Sequence, residues 1–486
     1  VKLHQIIRKG IIVSLLYGIA AFGGYLARLF FSRYVSLESF GLFYSVLTFV
    51  LAFSIFCDIS FGQVLQVYIP ELRKKRLWGR VKGYVMVVLC WQVITRVLVI
   101  TFLIMTAHFF AENYFKIPQA TGLIYLFSFA FLLSGFGSFS AGIVGFHRFG
   151  TAAFLNLFRI VSFLLGMFAV FWFRQDVIVT AGAYVVSVLA TDALTFILFL
   201  KQAMPNFFRV RMVLDWLMIK QMFAFGLLLT ISSLASQVIG MADTLILTYF
   251  RPLSELGVYQ MALPTATVVT FLIAWPVGLM IPATLAHLGR ARQKQVIVEV
   301  RTLLLAAVVP IAAILAVLSG DVLQFLFSQS STLGSWMLRL LAINQTVFLL
   351  VQFSIGVLTG LKKAKELLRM SIIVSIAVIV LSILGVIVFG SLGTIVGYFL
   401  SFCIFLALAE RSMRQACGAS LQWRFVLKIL SLGLLCAGTT YAVSLLALPL
   451  LLKLIVAGSA GLLVYTVGAL ISGVVRTELI RQVLQR

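Results

Sequence analysis

"VSLESFGLFYS" (residues 35–45) and "RPLSELGVYQM" (residues 251–261) align without a gap at an offset of 216. The alignment pairs Leu37 with Leu253, Gly41 with Gly257 and Phe43 with Tyr259. A second pair, "FSAGIVGFHRF" (139–149) and "FSIGVLTGLKKA" (353–364), matches at an offset of 214. Both pairs fall at equivalent boundaries of apolar segments, so the chain reads as a duplicated unit of six segments. An even number of crossings returns a chain to its starting side. Both copies therefore enter from the same face, and their pseudo-two-fold axis runs along the membrane normal.

Composition says what the segments are. Of 486 residues, 62% are hydrophobic and 11% charged, against about 25% charged in an ordinary soluble domain. The mean hydropathy is +1.13. No soluble core hides that much apolar surface, and the alternating pattern of an outer-membrane barrel is absent. A window of about twenty residues, the length that crosses the hydrocarbon, predicts fourteen spans. They lie near 11–33, 40–69, 83–110, 120–146, 150–173, 177–200, 222–250, 257–287, 302–327, 335–360, 368–389, 391–409, 425–447 and 453–474. The first run is long enough to be a span rather than a cleaved leader. The predicted fold is an all-α integral membrane protein. It has an N-lobe (1–210, spans 1–6), a C-lobe (211–422, spans 7–12), two additional C-terminal spans (423–486) and a central cavity between the lobes.

The formal net charge of +24 needs no nucleic acid to explain it. Lys and Arg collect on the cytoplasmic side of membrane proteins. Alternate loops hold "RKKRLWGRVK" (73–82), "GRARQK" (289–294), "LKKAKELLR" (361–369) and "RSMR" (411–414). With both termini, that side carries 29 of the 38 basic residues. The opposite side carries Arg33, Lys116, Arg174, Arg251 and Lys453. The partition predicts cytoplasmic termini. The longest loop, near 201–221, is a basic amphipathic segment on the cytoplasmic side. No loop is large enough for an ATPase. "GVLTGLKK" (356–363) lacks the Walker spacing and ends a span rather than following a strand. The five cysteines are scattered and the four histidines unclustered, so no disulfide framework, metal or cofactor is expected.

Four arginines fall inside spans: Arg28, Arg96, Arg159 and Arg339. Midplane arginine costs about 2.5–3.5 kcal/mol on insertion scales unless it faces water or a partner. Arg96 lies mid-span with Gln92 one turn earlier, and Arg159 mid-span with Asn156 three residues earlier; each pair shares a helix face. Arg28 and Arg339 lie nearer the span ends, where a long side chain can snorkel. Arg28 follows Ala21 and Gly24 on a face of little bulk, which favours a cavity over lipid. The intramembrane acids are Asp58, Asp192, Asp243 and Asp321. Asp58 and Asp243 draw attention as cation-coupling or charge-balancing groups, Asp243 because it ends a polar stripe of Ser232, Ser236 and Gly240 with Gln237 beside it. An Arg–Asp pair that simply locks helices together is the competing reading. Span 8 carries Pro264, Pro276 and Pro282, which read as a kink or a hinge.

No filter sequence marks a channel, and no catalytic constellation marks an enzyme. A duplicated membrane fold with buried cations fits a secondary transporter of an anion. The guanidinium fork binds phosphate through two hydrogen bonds at once.

The stretch "SRYVSLESFGLFYSVLTFVLAFSIFCDISFGQVLQVYIPELRKK" (32–75) and its echo "FRPLSELGVYQMALP" (250–264) resemble the bacterial polysaccharide flippases. These are the O-antigen and lipid-linked oligosaccharide translocases of the multidrug/oligosaccharidyl-lipid/polysaccharide exporter superfamily. Glu38 and Gly41 before span 2, then "DISFGQ" (58–63) and "PEL" (70–72), carry the likeness. The resemblance implies two six-helix lobes, alternating access and no enzymatic activity. It implies an undecaprenyl-pyrophosphate-linked oligosaccharide as substrate, flipped from the cytoplasmic to the periplasmic leaflet of the cell inner membrane. Membrane lipids, a polysaccharide polymerase and other assembly proteins are the implied partners. Arg28, Arg96, Arg159 and Arg339 are the candidate substrate contacts. A peptidoglycan lipid-precursor flippase shares the spans and the substrate chemistry. A multidrug exporter of the same superfamily typically has twelve spans and an acidic cavity, which the arginines disfavour.

The topology is directly testable. In a background lacking the native cysteines, single cysteines at residues 116 and 251 should react with an impermeant thiol reagent in intact cells. A cysteine at residue 365 should not.

Overall fold

The computed structural model describes residues 3–57, 60–134, 137–173, 176–285, 288–328 and 331–473. The described residues form helices throughout. In chain order they are α1 (Leu3–Tyr34), α2 (Leu37–Ala52), α3 (Ser54–Cys57), α4 (Phe61–Lys74), α5 (Trp78–Asn113), α6 (Ala120–Leu133), α7 (Gly137–Gly145), α8 (Phe149–Phe173) and α9 (Val177–Leu198). A π-type turn closes α9. There follow α10 (Trp216–Phe250), α11 (Leu253–Leu285), α12 (Arg290–Val317), α13 (Ser319–Phe327), α14 (Thr332–Gly360), α15 (Ala364–Cys417), α16 (Trp423–Ser444) and α17 (Leu450–Ile471). Packing groups them into two compact units, Val1–Gly257 and Val258–Arg486.

Among the described residues, eleven helices are long and apolar enough to cross a membrane. The hydropathy window divides the same chain into fourteen spans, and three places account for the difference. The 120–146 span is split into α6 and α7, of 14 and 9 residues. The 257–287 span is α11, a 33-residue helix outside those eleven that runs across Pro264, Pro276 and Pro282. The 368–389 and 391–409 spans are joined in α15.

That junction is a hairpin. Gly390 has φ 62° and ψ −147°, a conformation open essentially only to glycine. On either side the chain folds back on itself. A Cβ on Gly385 would strike the Gly393 carbonyl, and one on Gly393 the Gly385 carbonyl; a Cβ on Gly397 would lie 2.6 Å from the Leu381 carbonyl. Far from the turn, the Ser412 hydroxyl donates to Glu366, tying the hairpin's open end. The turn falls at the residue where the sequence reading divides the 368–389 and 391–409 spans, and the glycines allow it without a polar loop.

The 40–69 span is also interrupted. It is α2, then the single turn of α3, then α4, which starts after Ser60 in a left-handed conformation (φ 42°). α4 is amphipathic: Phe61, Val64, Leu65, Ile69 and Leu72 are buried, while Glu71, Arg73 and Lys74 are exposed. Its apolar face packs on α7, so the second halves of the two interrupted segments pair with each other.

In the first unit, α1 packs on α8, α8 on α9, α9 on α6, and α6 on both α2 and α5. The core at one end gathers Leu65, Val88, Phe139, Phe199 and Met222. α10 is held at both ends. The segment before it lies across the start of α5: the Val213 amide donates to the Gly79 carbonyl (3.1 Å), Lys82 donates to the Val210 carbonyl (3.0 Å), and Gly83 admits the Val213 carbonyl. At its other end Tyr114 donates to the Leu245 carbonyl (2.7 Å).

The sequence repeat is visible as a contact. A Cβ on Gly41 would strike the Leu253 carbonyl, and a Cβ on Gly257 the Leu37 carbonyl. These are the two residue pairs that the alignment equates. Each helix start thus rests on the other copy's glycine, an isologous arrangement.

In the second unit, α14 packs on α15 and α12; α12 also contacts α16 and α17, which pair with each other. A buried ion pair, Arg301 to Glu410 at 2.6 Å, joins α12 to the end of α15. Arg301 also donates to the Ser420 carbonyl (2.7 Å).

Gly390→Ala should cost about 1–3 kcal/mol through backbone strain. Gly393→Ala should lower the melting temperature in detergent as well. Gly438→Ala, where a Cβ meets open space, should be neutral or slightly stabilising. Scanning fluorimetry of the purified variants reads the order.

Candidate functional site

α5 presents a polar face toward the two helix interruptions. Gln92 and Arg96 are buried on it, Arg96 with 9% of its surface exposed. The Thr95 hydroxyl bonds the Trp91 carbonyl (2.8 Å) and reaches the Cys57 carbonyl (3.5 Å), at the end of α3. One Arg96 nitrogen donates to the Phe131 carbonyl (3.3 Å) and to the Ser134 hydroxyl (2.9 Å). Its guanidinium lies 5.0 Å from the Phe131 ring. Phe131 stands in the last turn of α6, where carbonyls lack intrahelical partners and a cation is favoured by the helix dipole. Arg96 is therefore a cap for a helix that ends where the 120–146 span was expected to continue.

Arg159 on α8 is exposed, and it donates to Asn156 of its own helix (3.2 Å), as the spacing predicts. Arg28 on α1 is half-buried, with its guanidinium 4.2 Å from the centre of the Tyr44 ring. It packs inward on α2. Tyr44 is buried, and its neighbour Phe43 sits edge-on to Tyr184 of α9 at 6.5 Å. Arg159 in turn acts on Tyr184. Tyr184 sits edge-on to Phe127 and Phe163 at 5.9 and 5.5 Å.

Asp192, two turns beyond Tyr184 on α9, completes the cluster. The charges of both Arg96 and Arg159 act on it. One of its carboxylate oxygens is enclosed with no hydrogen-bond partner, and Asp192 belongs to none of the ion pairs among the described residues. The first unit therefore brings together Arg28, Arg96, Arg159, Tyr44, Tyr184 and Asp192. The two tyrosines carry no signal in the sequence, because their partners come from other helices. Asp192 is visible there as an intramembrane acid, but its position opposite the arginines is not.

The other candidates lie elsewhere. Arg339, in the second unit, donates to the buried Ser319 hydroxyl (3.1 Å) and stands 4.9 Å from the Trp336 ring. In the same unit Gln345 bonds Thr267 and Thr270 of α11 (3.1 and 3.3 Å). Asp243 on α10 is buried and accepts from the Thr244 amide (2.6 Å). Ser236 and Gly240 of its stripe are exposed, so the stripe turns from an open face to a closed one. The Ser232 side chain lies outside the description; its neighbour Ser233 bonds Ser60 (2.6 Å) across the start of α4. Asp58 lies outside the described residues. Among those described, no group of His, Cys, Asp and Glu has the arrangement to hold a metal ion.

The all-helical fold, the buried arginines and the reciprocal helix-start contact match the duplicated membrane unit read from the sequence. Comparison with known proteins agrees. The chain belongs to the polysaccharide biosynthesis protein family, whose model matches residues 6–285. An uncharacterised membrane protein of Methanocaldococcus jannaschii is 23% identical over 414 residues, covering 81% of this chain and 82% of that protein. Among solved structures, the lipid II flippase MurJ in an inward closed conformation superposes with a TM-score of 0.76 at 14% identity, covering 98% of this chain and all of that one. An inward-facing multidrug-resistance transporter of the MATE family follows at a TM-score of 0.61 and 14% identity, over 82% of this chain and 94% of that one. The fold is that of membrane transporters and flippases, not of an enzyme.

Proposed function

We propose that this protein is a flippase for an undecaprenyl-pyrophosphate-linked oligosaccharide. It would carry the substrate from the cytoplasmic to the periplasmic leaflet of the inner membrane, by alternating access, for surface polysaccharide such as O-antigen. The observation that carries this reading is the convergence of Arg28, Arg96 and Arg159 within one helical unit, in a chain of the polysaccharide biosynthesis family. A pyrophosphate offers several acceptor oxygens, and guanidinium groups in a low-dielectric setting bind it strongly. Arg159 supplies the most accessible of the three charges. Arg96 contributes charge while one of its nitrogens caps α6.

The repeat divides the transporter into lobes 1–210 and 211–422, with 423–486 appended. Arg339 is the candidate contact from the second lobe. Asp58 and Asp243 trim charge or bind a driving cation. Both termini are cytoplasmic on the basic-charge partition, and a polymerase and other assembly proteins receive the product. The likeness of fold to a lipid II flippase supports a second reading, transport of a peptidoglycan lipid precursor, which presents the same pyrophosphate. Complementation of strains lacking one or the other flippase separates the two.

The membrane potential can drive the cycle. Moving one charge is worth about 2.3 kcal/mol per 100 mV, and the anion leaves a negative cytoplasm. The arginines neutralise it in transit, and the field draws the emptied, positive carrier back.

In proteoliposomes, Arg159→Glu and Arg96→Glu should each abolish flipping of a fluorescent polyprenyl-pyrophosphate glycan while the protein still inserts. Arg339→Lys should retain most activity. Flipping undiminished in both reversals would refute the anion site. Collapsing the potential with valinomycin and potassium should slow flipping with pH and sodium gradients absent. Dependence on a proton or sodium gradient alone would refute the voltage mechanism.

A further inference from the structure

We infer that Asp192 is a displaceable internal counter-ion, holding the charges of Arg96 and Arg159 in the empty carrier and giving way to the substrate's phosphate when it arrives. The inference rests on the anion-site reading above and assigns a role to a residue outside the candidate set.

Three observations support it. First, the helices converge: α8 and α6 both pack on α9, and α6 in turn holds Arg96 through Phe131 and Ser134. Asp192 thus stands on a helix that packs on α8, which carries Arg159, and on α6, whose end Arg96 of α5 caps. Second, the carboxylate is not locked. It makes no ion pair within contact distance, and one oxygen is enclosed without a hydrogen-bond partner among the described residues. A carboxylate that served only to staple helices would be expected in direct contact with a guanidinium, as Glu410 is with Arg301 at 2.6 Å. Third, both arginines nevertheless act on it electrostatically. A buried acceptor left short of its donors is costly. Such a group calls for an explanation, and a site that something else occupies for part of a cycle supplies one here.

The functional consequence is a matter of affinity. Arginines with no counter-charge would bind pyrophosphate too tightly for release, whereas a carrier must let go on the far side. A carboxylate competing for the same guanidinium groups weakens the bound state and offsets part of the site's positive charge after release. It also disfavours a second anion. The role is one of tuning: Asp192 acts on the substrate through Arg96 and Arg159.

The test uses the full chain purified in nanodiscs and inorganic pyrophosphate as the probe, with binding measured by calorimetry. Asp192→Asn should tighten pyrophosphate binding about tenfold, as expected for removing a like charge beside a bound anion. It should also slow multiple-turnover flipping of the lipid-linked glycan. Asp192→Glu should restore both toward wild type. Asp321→Asn, which removes an acid paired to Lys453 in the second unit, should leave pyrophosphate affinity unchanged. Unchanged or weaker binding by Asp192→Asn overturns the counter-ion role. Pyrophosphate binding indifferent to Arg96→Gln and Arg159→Gln instead overturns the anion-site reading beneath it. Where Asp192→Asn fails to fold, Asp192→Asn/Arg159→Gln is compared with Arg159→Gln. Tighter binding by the double variant upholds the role, and equal or weaker binding overturns it.

Discussion

Backbone that is not helical cannot face lipid, because each unpaired amide or carbonyl there costs several kcal/mol. Two apolar stretches in the first unit nevertheless leave helical geometry mid-course, one after α2 and one after α6. The structure reconciles the two facts through α5. Thr95 reaches the Cys57 carbonyl and Arg96 takes the Phe131 carbonyl. The helix with the polar face is therefore the one that lets its neighbours break. The broken halves, α4 and α7, then turn their apolar faces to each other.

The same constraint explains why a positive charge is tolerated at this depth. An arginine in hydrocarbon is expensive when isolated, and far less so when it replaces the partner that an orphan carbonyl needs. Arg96 is stabilised by structure and remains a charge. Arg28, set on Tyr44, draws on the quadrupole of an aromatic face. Arg159, exposed and, among the described residues, bonded only to a neighbour on its own helix, has the least structural duty of the three. The three thus grade from a buried helix cap to an exposed charge, and a single class of side chain serves both ends.

Much of this was legible from the residues alone. The apolar runs, the partition of basic loops and the pairing of Gly41 with Gly257 are properties of local sequence, and the structure places each glycine on the other copy's helix start. The arginines declared themselves because charge inside an apolar run is rare. The interruptions did not, because hydropathy measures transfer from water and says nothing of backbone continuity. "CDISFGQ" holds the polar and glycine residues that accompany the break, within an apolar run. Asp192 was passed over for Asp58 and Asp243 because rank among acids depends on what lies across the helix interface, which no linear spacing records. Tyr44 and Tyr184 were invisible for the same reason.

The glycine hairpin at Gly390 has a bearing on biosynthesis. On the side opposite the basic segments 361–369 and 411–414, the chain turns from one helix to the next without a hydrophilic connector. No polar loop has to be pulled across the bilayer as the nascent chain emerges, so the two helices can partition from the translocon as one preassembled wedge. The turn itself offers no protruding segment for a protease or an antibody to grip. Gly385, Gly393 and Gly397 bring the arms into backbone contact on either side of Gly390, so the second unit gains a stiff spine from a single turn.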